Sequence, residues 1–297
     1  MKHQRATTLP LRTDTLGVRI GEVDVTVRSC HERVLDDFAG LYEGFPNLID
    51  TDRPGIAVEV RRARSFRKSC RVFGEGEAIG PSVRADEALP FVEWGINYSL
   101  IARRTDYLQV HAAVLSRHGH GVLFAAQSGS GKSTLAAGLI ARGWKYLSDE
   151  IALVDPRTLY VHPFPKALCV KSGAFAEVRN LDLPFCGKRY YVKGAKGQVA
   201  YVNPLCLGAD AIGKPCPVRY VILPRYVPGG AASLLRISQA QAAFELARNG
   251  MNRGAFRARA VSLFTEIAQG SQCFSLRTGP LAETGALLDA LLDSRLG

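Results

Sequence analysis

The sequence predicts a mixed α/β protein whose larger part contains a phosphate-binding loop and whose smaller, N-terminal part is an α+β unit. The first observation is an apolar, strand-like run at 122–125, a glycine-rich segment, and a helical pattern at 134–140. The second is that short strand patterns alternate with two amphipathic helical patterns in residues 1–105. Together these observations predict two domains, 1–105 and 106–297.

The composition is that of an ordinary globular protein. The chain has 297 residues, of which 47% are hydrophobic and 22% are charged. No apolar run approaches the ~20 residues of a membrane span, and the N-terminus lacks the apolar core of a signal peptide. The seven cysteines are odd in number and form no C-x-x-C pair, so we expect no disulfide framework and no zinc site. A cytoplasmic protein without a membrane partner is the expectation.

The N-terminal domain is predicted to recognise a substrate or partner. Its predicted elements, in chain order, are a hairpin at 14–28, a helix at 31–43, strands at 55–64 and 69–74, a loop at 81–88 and a helix at 89–104.

The second domain shows more strands and three late helices. Its predicted strands lie at 108–115, 122–126, 145–148, 151–154, 159–162 and 218–223, and its later helices at 239–249, 256–269 and 281–294. Residues 165–205 are rich in glycine and lysine and are predicted to be irregular. Such a segment is either a mobile binding loop or a surface excursion, and the sequence favours neither.

The net charge of +11 raises the question of a polyanionic partner. The densest basic cluster consists of Arg61, Arg62, Arg64, Arg67, Lys68 and Arg71. No helix-turn-helix, zinc-finger or RNA-recognition signature accompanies it, so we do not expect nucleic acid to be the partner. A solvated face or a surface for an acidic peptide remains.

The glycine-rich segment has the order of residues expected of a P-loop. The predicted nucleotide contacts are Ala126, Gln127, Ser128, Gly129, Ser130, Gly131, Lys132, Ser133 and Thr134. Loop N–H groups and the helix N-terminus would face the phosphates, Lys132 would reach the β- and γ-phosphates, and Ser133 would hold Mg²⁺. Ala126 replaces the usual first glycine, which is compatible with binding only if that position does not need a positive φ. The expected ligands are ATP and Mg²⁺.

Asp149 is the candidate catalytic base. It follows Lys132 by 17 residues and ends the next predicted strand, so it should face the same crevice as the P-loop. An aspartate there can accept the proton of an attacking hydroxyl. The structural alternative is a carboxylate that caps a turn or a helix.

These residues together resemble the HPr kinase/phosphorylase family, and more closely its HPr-kinase-related branch. The resemblance covers 111–150, with a histidine-led strand (His111), a glycine-bearing turn, the P-loop and the acidic pair Asp149–Glu150; it extends more weakly to about 225. It implies a phosphoenolpyruvate-carboxykinase-like core that phosphorylates a serine hydroxyl of a protein partner. It also implies that the protein forms a homo-oligomer.

The resemblance also assigns roles to individual residues. It implies that Asp149 is the base, that His111 orients it, that Ser133 and Glu150 hold the metal, and that Lys171 contacts phosphate. The family has a second aspartate where this chain has Glu150, and its E-x-R-G element is echoed only by Glu177 and Arg179, without the glycine. The last two residues fit surface charges as well as they fit a site.

The predicted function is therefore ATP-dependent transfer of the γ-phosphoryl group to a serine-type hydroxyl of a protein or peptide. A phosphocarrier or a ribosomally made precursor peptide would be a suitable acceptor. Two alternatives remain open: a small-molecule kinase similar to adenylylsulfate kinase, and a non-catalytic nucleotide-binding regulator that uses the basic cluster to bind nucleic acid.

Overall fold

The computed structural model describes residues 14–48, 55–63, 69–127, 129–186, 190–194 and 197–294. Ser128 of the predicted P-loop and Arg64, Arg67 and Lys68 of the basic cluster lie outside the described residues.

The N-terminal part forms a five-stranded sheet with two helices. Its elements are β1 (Asp14–Ile20), β2 (Val23–Ser29), α1 (Glu32–Leu41), β3 (Ile56–Arg62), β4 (Ser69–Gly74), β5 (Glu77–Arg84) and α2 (Leu89–Arg103). The hairpin, both helices and the first strands are confirmed. The predicted loop at 81–88 is wrong up to Arg84, because β5 is an edge strand on which Pro81 needs no ladder N–H on its outer side.

Both helices cover one face of this sheet, whose strands follow the order β1-β2-β3-β4-β5. A Cβ on Gly95 of α2 would lie 3.1 Å from Val58, so glycine allows the helix to lie close to β3. The opposite face carries the exposed Arg61 and Arg71, which are directly paired across β3 and β4. Arg61 and Arg71 therefore point away from α2, whereas Arg62 is paired with the buried Cys70 and lies on the other face.

The next part of the chain contains the predicted P-loop. Its elements are β6 (Leu108–Val110), β7 (Ala112–Arg117), β8 (His120–Ala125), α3 (Lys132–Ala141), β9 (Lys145–Ser148), β10 (Ala152–Val154) and β11 (Tyr160–His162). The single strand predicted at 108–115 is wrong, because the chain changes partners at His111. Before it, β6 pairs with β10; after it, β7 pairs with β8 and β9.

The described residues of the segment 165–205 are more ordered than the sequence predicts. They contain β12 (Leu168–Lys171), α4 (Phe175–Arg179), β13 (Tyr191–Val192) and β14 (Gln198–Val202), and the strands pair in the order β12-β14-β13. The prediction of an irregular segment is wrong here, because strands of two to five residues show too little alternation to be recognised.

The C-terminal part completes a nine-stranded sheet. Its elements are β15 (Cys216–Tyr226), β16 (Ser233–Arg236), α5 (Gln239–Arg248), α6 (Arg253–Phe256), α7 (Arg259–Gln269), β17 (Gln272–Thr278) and α8 (Leu281–Asp293). The three predicted late helices and the strand at 218–223 are confirmed, and the sequence prediction missed β16 and β17.

The large sheet is mixed. Its main path is β6-β10-β11-β15-β8-β7-β9, and β17, which also pairs with β16, lies beside β15. Strands β8, β15 and β17 are parallel, and β7 runs antiparallel between β8 and β9. Strands β8, β9, β15 and β17 therefore point the same way and end at one edge of the sheet.

Helices cover both faces of this sheet. Helices α3 and α8 contribute Leu139 and Leu288 to the core on one side, and α5 and α7 contribute Leu246 and Phe264 to the core on the other. The observed architecture is a mixed α/β fold with several sheets.

A third core joins the N-terminal sheet to later parts of the chain. Ile151, Leu153 and Phe164 are buried in the same cluster as Val58 of β3 and Ile96 of α2. The domain boundary at residue 105 stays a prediction, but the apolar packing crosses it.

Replacing Phe164 by Ala should test this shared core. Its side chain is 1% exposed, so the change should lower the free energy of unfolding by about 3–5 kcal/mol. Chemical denaturation followed by both circular dichroism and tyrosine fluorescence should show one coincident transition at lower denaturant. Val261→Ala, which changes a 69% exposed side chain, is the matched control. Two separated transitions in the wild-type protein would contradict cooperative packing across residue 105.

Candidate active site

The candidate site lies where four strands end together. Directly after β8, β9, β15 and β17 the chain contributes residues to one cavity of about 850 Å³. The cavity therefore lies at the carboxyl edge of the parallel strands, the usual place for ligands in α/β sheets. The predicted site residues that line it are His111, Gly129, Gly131, Lys132, Ser133, Thr134, Asp149, Glu150 and Lys171.

The backbone of the glycine-rich loop explains its unusual first residue. Gly129 and Gly131 have φ values of +95° and +87°, which favour glycine. Ala126 is not among the residues with positive φ, so alanine is accepted there without strain. Ala126, Gln127 and Ser130 belong to the loop but do not line the cavity surface.

Lys132 opens α3 and is buried beneath the loop. Its ammonium donates to the carbonyl oxygens of Ala126 at 2.5 Å and Gln127 at 3.0 Å. The hydroxyl of Ser130 is buried and has no hydrogen-bond partner among the described residues. A cation and an unsatisfied donor in one glycine-rich loop are suited to an oxyanion ligand.

Asp149 connects the loop helix to the neighbouring strand. Ser133 at the start of α3 donates to its Oδ2 at 3.2 Å. The hydroxyl of Tyr146 of β9 lies 3.5 Å from Oδ1 but donates its proton to the carbonyl oxygen of Lys166 at 2.8 Å. Asp149 is 4% exposed, so this carboxylate is held by protein groups and has little contact with solvent.

Burial raises the pKa of Asp149, and the adjacent Glu150 carboxylate raises it further, to about 7. Lys166 and the hydrogen bond from Ser133 act in the opposite direction. A carboxylate whose pKa lies near neutrality is suited to accept a proton at physiological pH.

Glu150 is held by a buried polar network. Asn97 of α2 donates to Glu150 Oε2 and accepts from Lys166 Nζ at 2.6 Å. The same ammonium lies 3.1 Å from Glu93 Oε2, and the hydroxyl of Tyr42 donates to the other Glu93 oxygen at 2.9 Å. The N-terminal part of the chain thus reaches the second acid of the predicted pair.

His111 fixes the backbone of the acidic pair. Its N–H donates to the carbonyl of Asn249 at 2.8 Å, and its Nδ1 lies 2.9 Å from the carbonyl oxygen of Glu150. The contact is to the main chain of Glu150 and not to the carboxylate of Asp149. His111 therefore supports the pair through the backbone.

Glu177 and Arg179, the two residues that fitted a site and surface charges equally well, lie in different surroundings. Glu177 lines the cavity, whereas Arg179 contacts the hydroxyl of Tyr190 and lies over the ring of Phe185. Both are exposed, in accordance with the surface reading that the sequence left open.

Four polar residues around the site were not predicted: Asn97, Lys166, Cys169 and Lys193. Lys166 and Asn97 are 69 positions apart, and Cys169 and Lys193 are 24 apart, so no local motif connects them. The available signal was weak. Asn97 is one of several polar residues in the predicted helix at 89–104, and Lys193 belongs to the lysine- and glycine-rich segment.

The donor set is suited to Mg²⁺. The hydroxyl of Ser133 and the carboxylate of Glu150 line the same cavity, and both supply the hard oxygen atoms that Mg²⁺ prefers. In the described ranges no group of three or more His, Cys, Asp or Glu side chains is placed to hold a metal. Mg²⁺ bound with nucleotide needs only one or two protein carboxylates, because phosphates and water complete its shell.

Comparisons with known proteins give a match to a family model and similarities to solved structures. A family model described as "SynChlorMet cassette protein ScmC" matches residues 90–183. The structure of the Hpr(Ser) kinase/phosphatase from Coxiella burnetii is similar over 63% of this chain and 90% of that one, with 15% identity and a TM-score of 0.31. No curated protein matches the sequence. Among the described residues, no helix has the length and apolarity that crossing a membrane requires.

The stability of the ligand-free protein should depend on the ionisation of Asp149. Because the folded-state pKa is raised, the fold is favoured while the carboxyl is protonated and loses that contribution as the pH rises from about 4 to about 7. Asp149→Asn removes this term. The melting temperature of the variant minus that of the wild type should therefore increase over this pH range and level off above it. A difference that does not change with pH would contradict the assignment.

Asn97→Leu should remove the hydrogen bond that positions the Glu150 carboxylate. The amide bridges Glu150 and Lys166, and loss of a residue that orients a metal ligand typically reduces metal affinity 10–100-fold. We expect a similar increase in the Mg²⁺ concentration needed for half-maximal ATP binding, measured by titration at fixed ATP. Asn180→Leu, at an exposed position outside the cavity, is the control. An unchanged Mg²⁺ requirement in a folded Asn97→Leu protein would rule out this role.

Proposed function

We propose that the protein is a Mg²⁺- and ATP-dependent kinase that transfers the γ-phosphoryl group to a serine-type hydroxyl of a protein or peptide. The hydrogen bond from Ser133 to Asp149, at 3.2 Å, carries this proposal. It joins a hydroxyl at the start of the helix after the glycine-rich loop to an acid at the end of a neighbouring strand. Both groups line the cavity that contains Lys132.

Nucleotide binding is supported by the groups that face this cavity. The loop glycines, the N-terminus of α3 and the Lys132 ammonium supply N–H donors and positive charge to phosphates. Mg²⁺, when bound at Ser133 and Glu150, would neutralise charge on the β- and γ-phosphates.

The transfer step requires one proton acceptor. Asp149 takes the proton of the acceptor hydroxyl while the oxygen forms a bond to the γ-phosphorus. The bond between that phosphorus and the β–γ bridging oxygen breaks, and ADP leaves with the electron pair. Lys132 stabilises the charge that develops on the phosphates, so the contribution of the protein is mainly positioning and electrostatics.

The acceptor class rests on fewer observations. A cavity of about 850 Å³ has room for a nucleotide and one further side chain. The exposed Arg61 and Arg71 lie on the face of the five-stranded N-terminal sheet that is turned away from α2. They would therefore attract the body of an acidic peptide and not its reacting hydroxyl.

The decisive experiment separates nucleotide binding from transfer. Asp149→Asn should keep most of the affinity for Mg-ATP, measured by calorimetry, and reduce phosphoryl transfer about 10²–10⁴-fold. Transfer is followed with labelled ATP and candidate peptides, with mass spectrometry to locate the phosphate. Asp182→Asn, an exposed carboxylate outside the cavity, is the matched control. Equal loss of binding and transfer in Asp149→Asn would place this residue at the metal and not at the proton.

The same assay tests the alternatives. Transfer to a metabolite but to no peptide would show a small-molecule kinase. ATP binding without any transfer, together with salt-sensitive DNA binding, would instead support a nucleotide-binding regulator.

A further inference from the structure

The cavity has a second basic region, formed by the small three-stranded sheet. Lys171 ends β12, and Lys193 directly follows β13. Lys171 and Tyr191 are both paired with Val199 of the central strand, so these three side chains share one face of the sheet. Both lysines line the same cavity as Lys132 and Asp149.

The pairing continues to Lys193. Its N–H donates to the carbonyl of Gly197 at 2.9 Å, which extends the β13–β14 ladder by one residue. Lys193 is two residues beyond Tyr191 and so lies on the same face. The contact of its ammonium with Cys169 Sγ at 3.9 Å agrees with this, because Cys169 is two residues before Lys171.

Among the described residues, neither ammonium forms an ion pair with a carboxylate. No acidic oxygen of this part of the chain lies within 4.0 Å of Lys171 or Lys193, and the ammonium of Lys193 instead contacts the thiol of Cys169. Both lysines are half-buried. A partly buried ammonium without a directly paired anion loses solvation, so such a group in a cavity is suited to binding an anion.

Lys193 nevertheless keeps its charge at neutral pH. Burial lowers its pKa, but Cys169, Glu150, Glu93 and Asp149 together raise it above the ordinary value. Burial also raises the pKa of the Cys169 thiol, to about 11, so the thiol is neutral and is no counter-ion at physiological pH.

We propose that Lys171 and Lys193 form a second anion-binding subsite of the cavity, which binds a phosphate or carboxylate oxyanion that the P-loop does not hold. The anion is either the γ-phosphate of the nucleotide or an acidic group of the acceptor close to its hydroxyl. The inference rests on the proposed function in that it takes the P-loop as the place of the nucleotide's other phosphates.

The test compares three probes on matched variants. Binding of ATP, of ADP, and of inorganic phosphate to the ADP-loaded protein is measured by calorimetry or phosphorus NMR. The variants are Lys171→Gln, Lys193→Gln, the double variant and the conservative Lys193→Arg. Lys145→Gln removes the same charge at an exposed position outside the cavity and is the control.

The two sources of the anion give different results. If the γ-phosphate binds there, Lys193→Gln should lose affinity for ATP about tenfold or more while ADP affinity stays unchanged. If an acidic group of the acceptor binds there, both nucleotide affinities should stay unchanged and phosphate binding to the ADP-loaded protein should fall by the same factor. Lys193→Arg should retain most of the binding in either case.

Unchanged affinity for all three probes in the double variant would overturn the proposal. Lys171, which is only partly buried, gives a second variant if Lys193→Gln does not fold. Wild-type protein that binds neither nucleotide would refute the proposed function alone. Phosphate binding to the nucleotide-free protein, and its dependence on both lysines, would then still decide whether the subsite exists.

Discussion

The structure around the cavity depends on two adjacent carboxylates, Asp149 and Glu150, at the end of a buried strand. Placing two negative charges side by side away from water is unfavourable unless each is hydrogen-bonded or compensated. Asp149 accepts a hydrogen bond from the hydroxyl of Ser133 and lies 3.5 Å from the hydroxyl of Tyr146, and Glu150 accepts one from the amide of Asn97. The remaining repulsion and burial appear as the raised pKa of Asp149. The groups that hold the pair therefore come from the loop helix, the strand itself and the N-terminal helix α2.

This arrangement connects the N-terminal part of the chain to the acidic pair. From Glu150 the polar network passes through Asn97 and Lys166 to Glu93, and from there to Tyr42 at the end of α1. Immediately after Glu150 the chain enters the apolar cluster that also contains α2. The acidic pair is thus fixed by a polar network on one side and by a shared core on the other. A movement of α2 would displace Glu150. A partner bound to the five-stranded N-terminal sheet would therefore have a physical route to the site.

The local features of the site were predictable because they are encoded within short stretches. The order of residues in the glycine-rich loop, the spacing of 17 positions from Lys132 to Asp149, and the apolar periodicities each need fewer than twenty consecutive residues. The network was not predictable, since Asn97, Lys166 and Glu150 come together only through pairing across 53 to 69 positions. Lys193 was hidden for a different reason. The strand before it, β13, has only two residues. The sequence therefore shows no alternation that would predict on which face of the sheet Lys193 lies.

The charges of the cavity indicate what kind of ligand would fit it. Lys166 is neutralised by Glu93, and Asp149 and Glu150 are the acids nearest the loop. Lys132 is satisfied by loop carbonyls, which are neutral, and Lys171 and Lys193 have no carboxylate within ion-pair distance among the described residues. Three lysines therefore line one cavity: Lys132 on the loop helix, and Lys171 and Lys193 on the three-stranded sheet. A single phosphate bound at the glycine-rich loop would leave Lys171 and Lys193 of the three-stranded sheet without an anion. A polyphosphate that spans both elements, or a phosphate beside an acidic acceptor, would compensate all three.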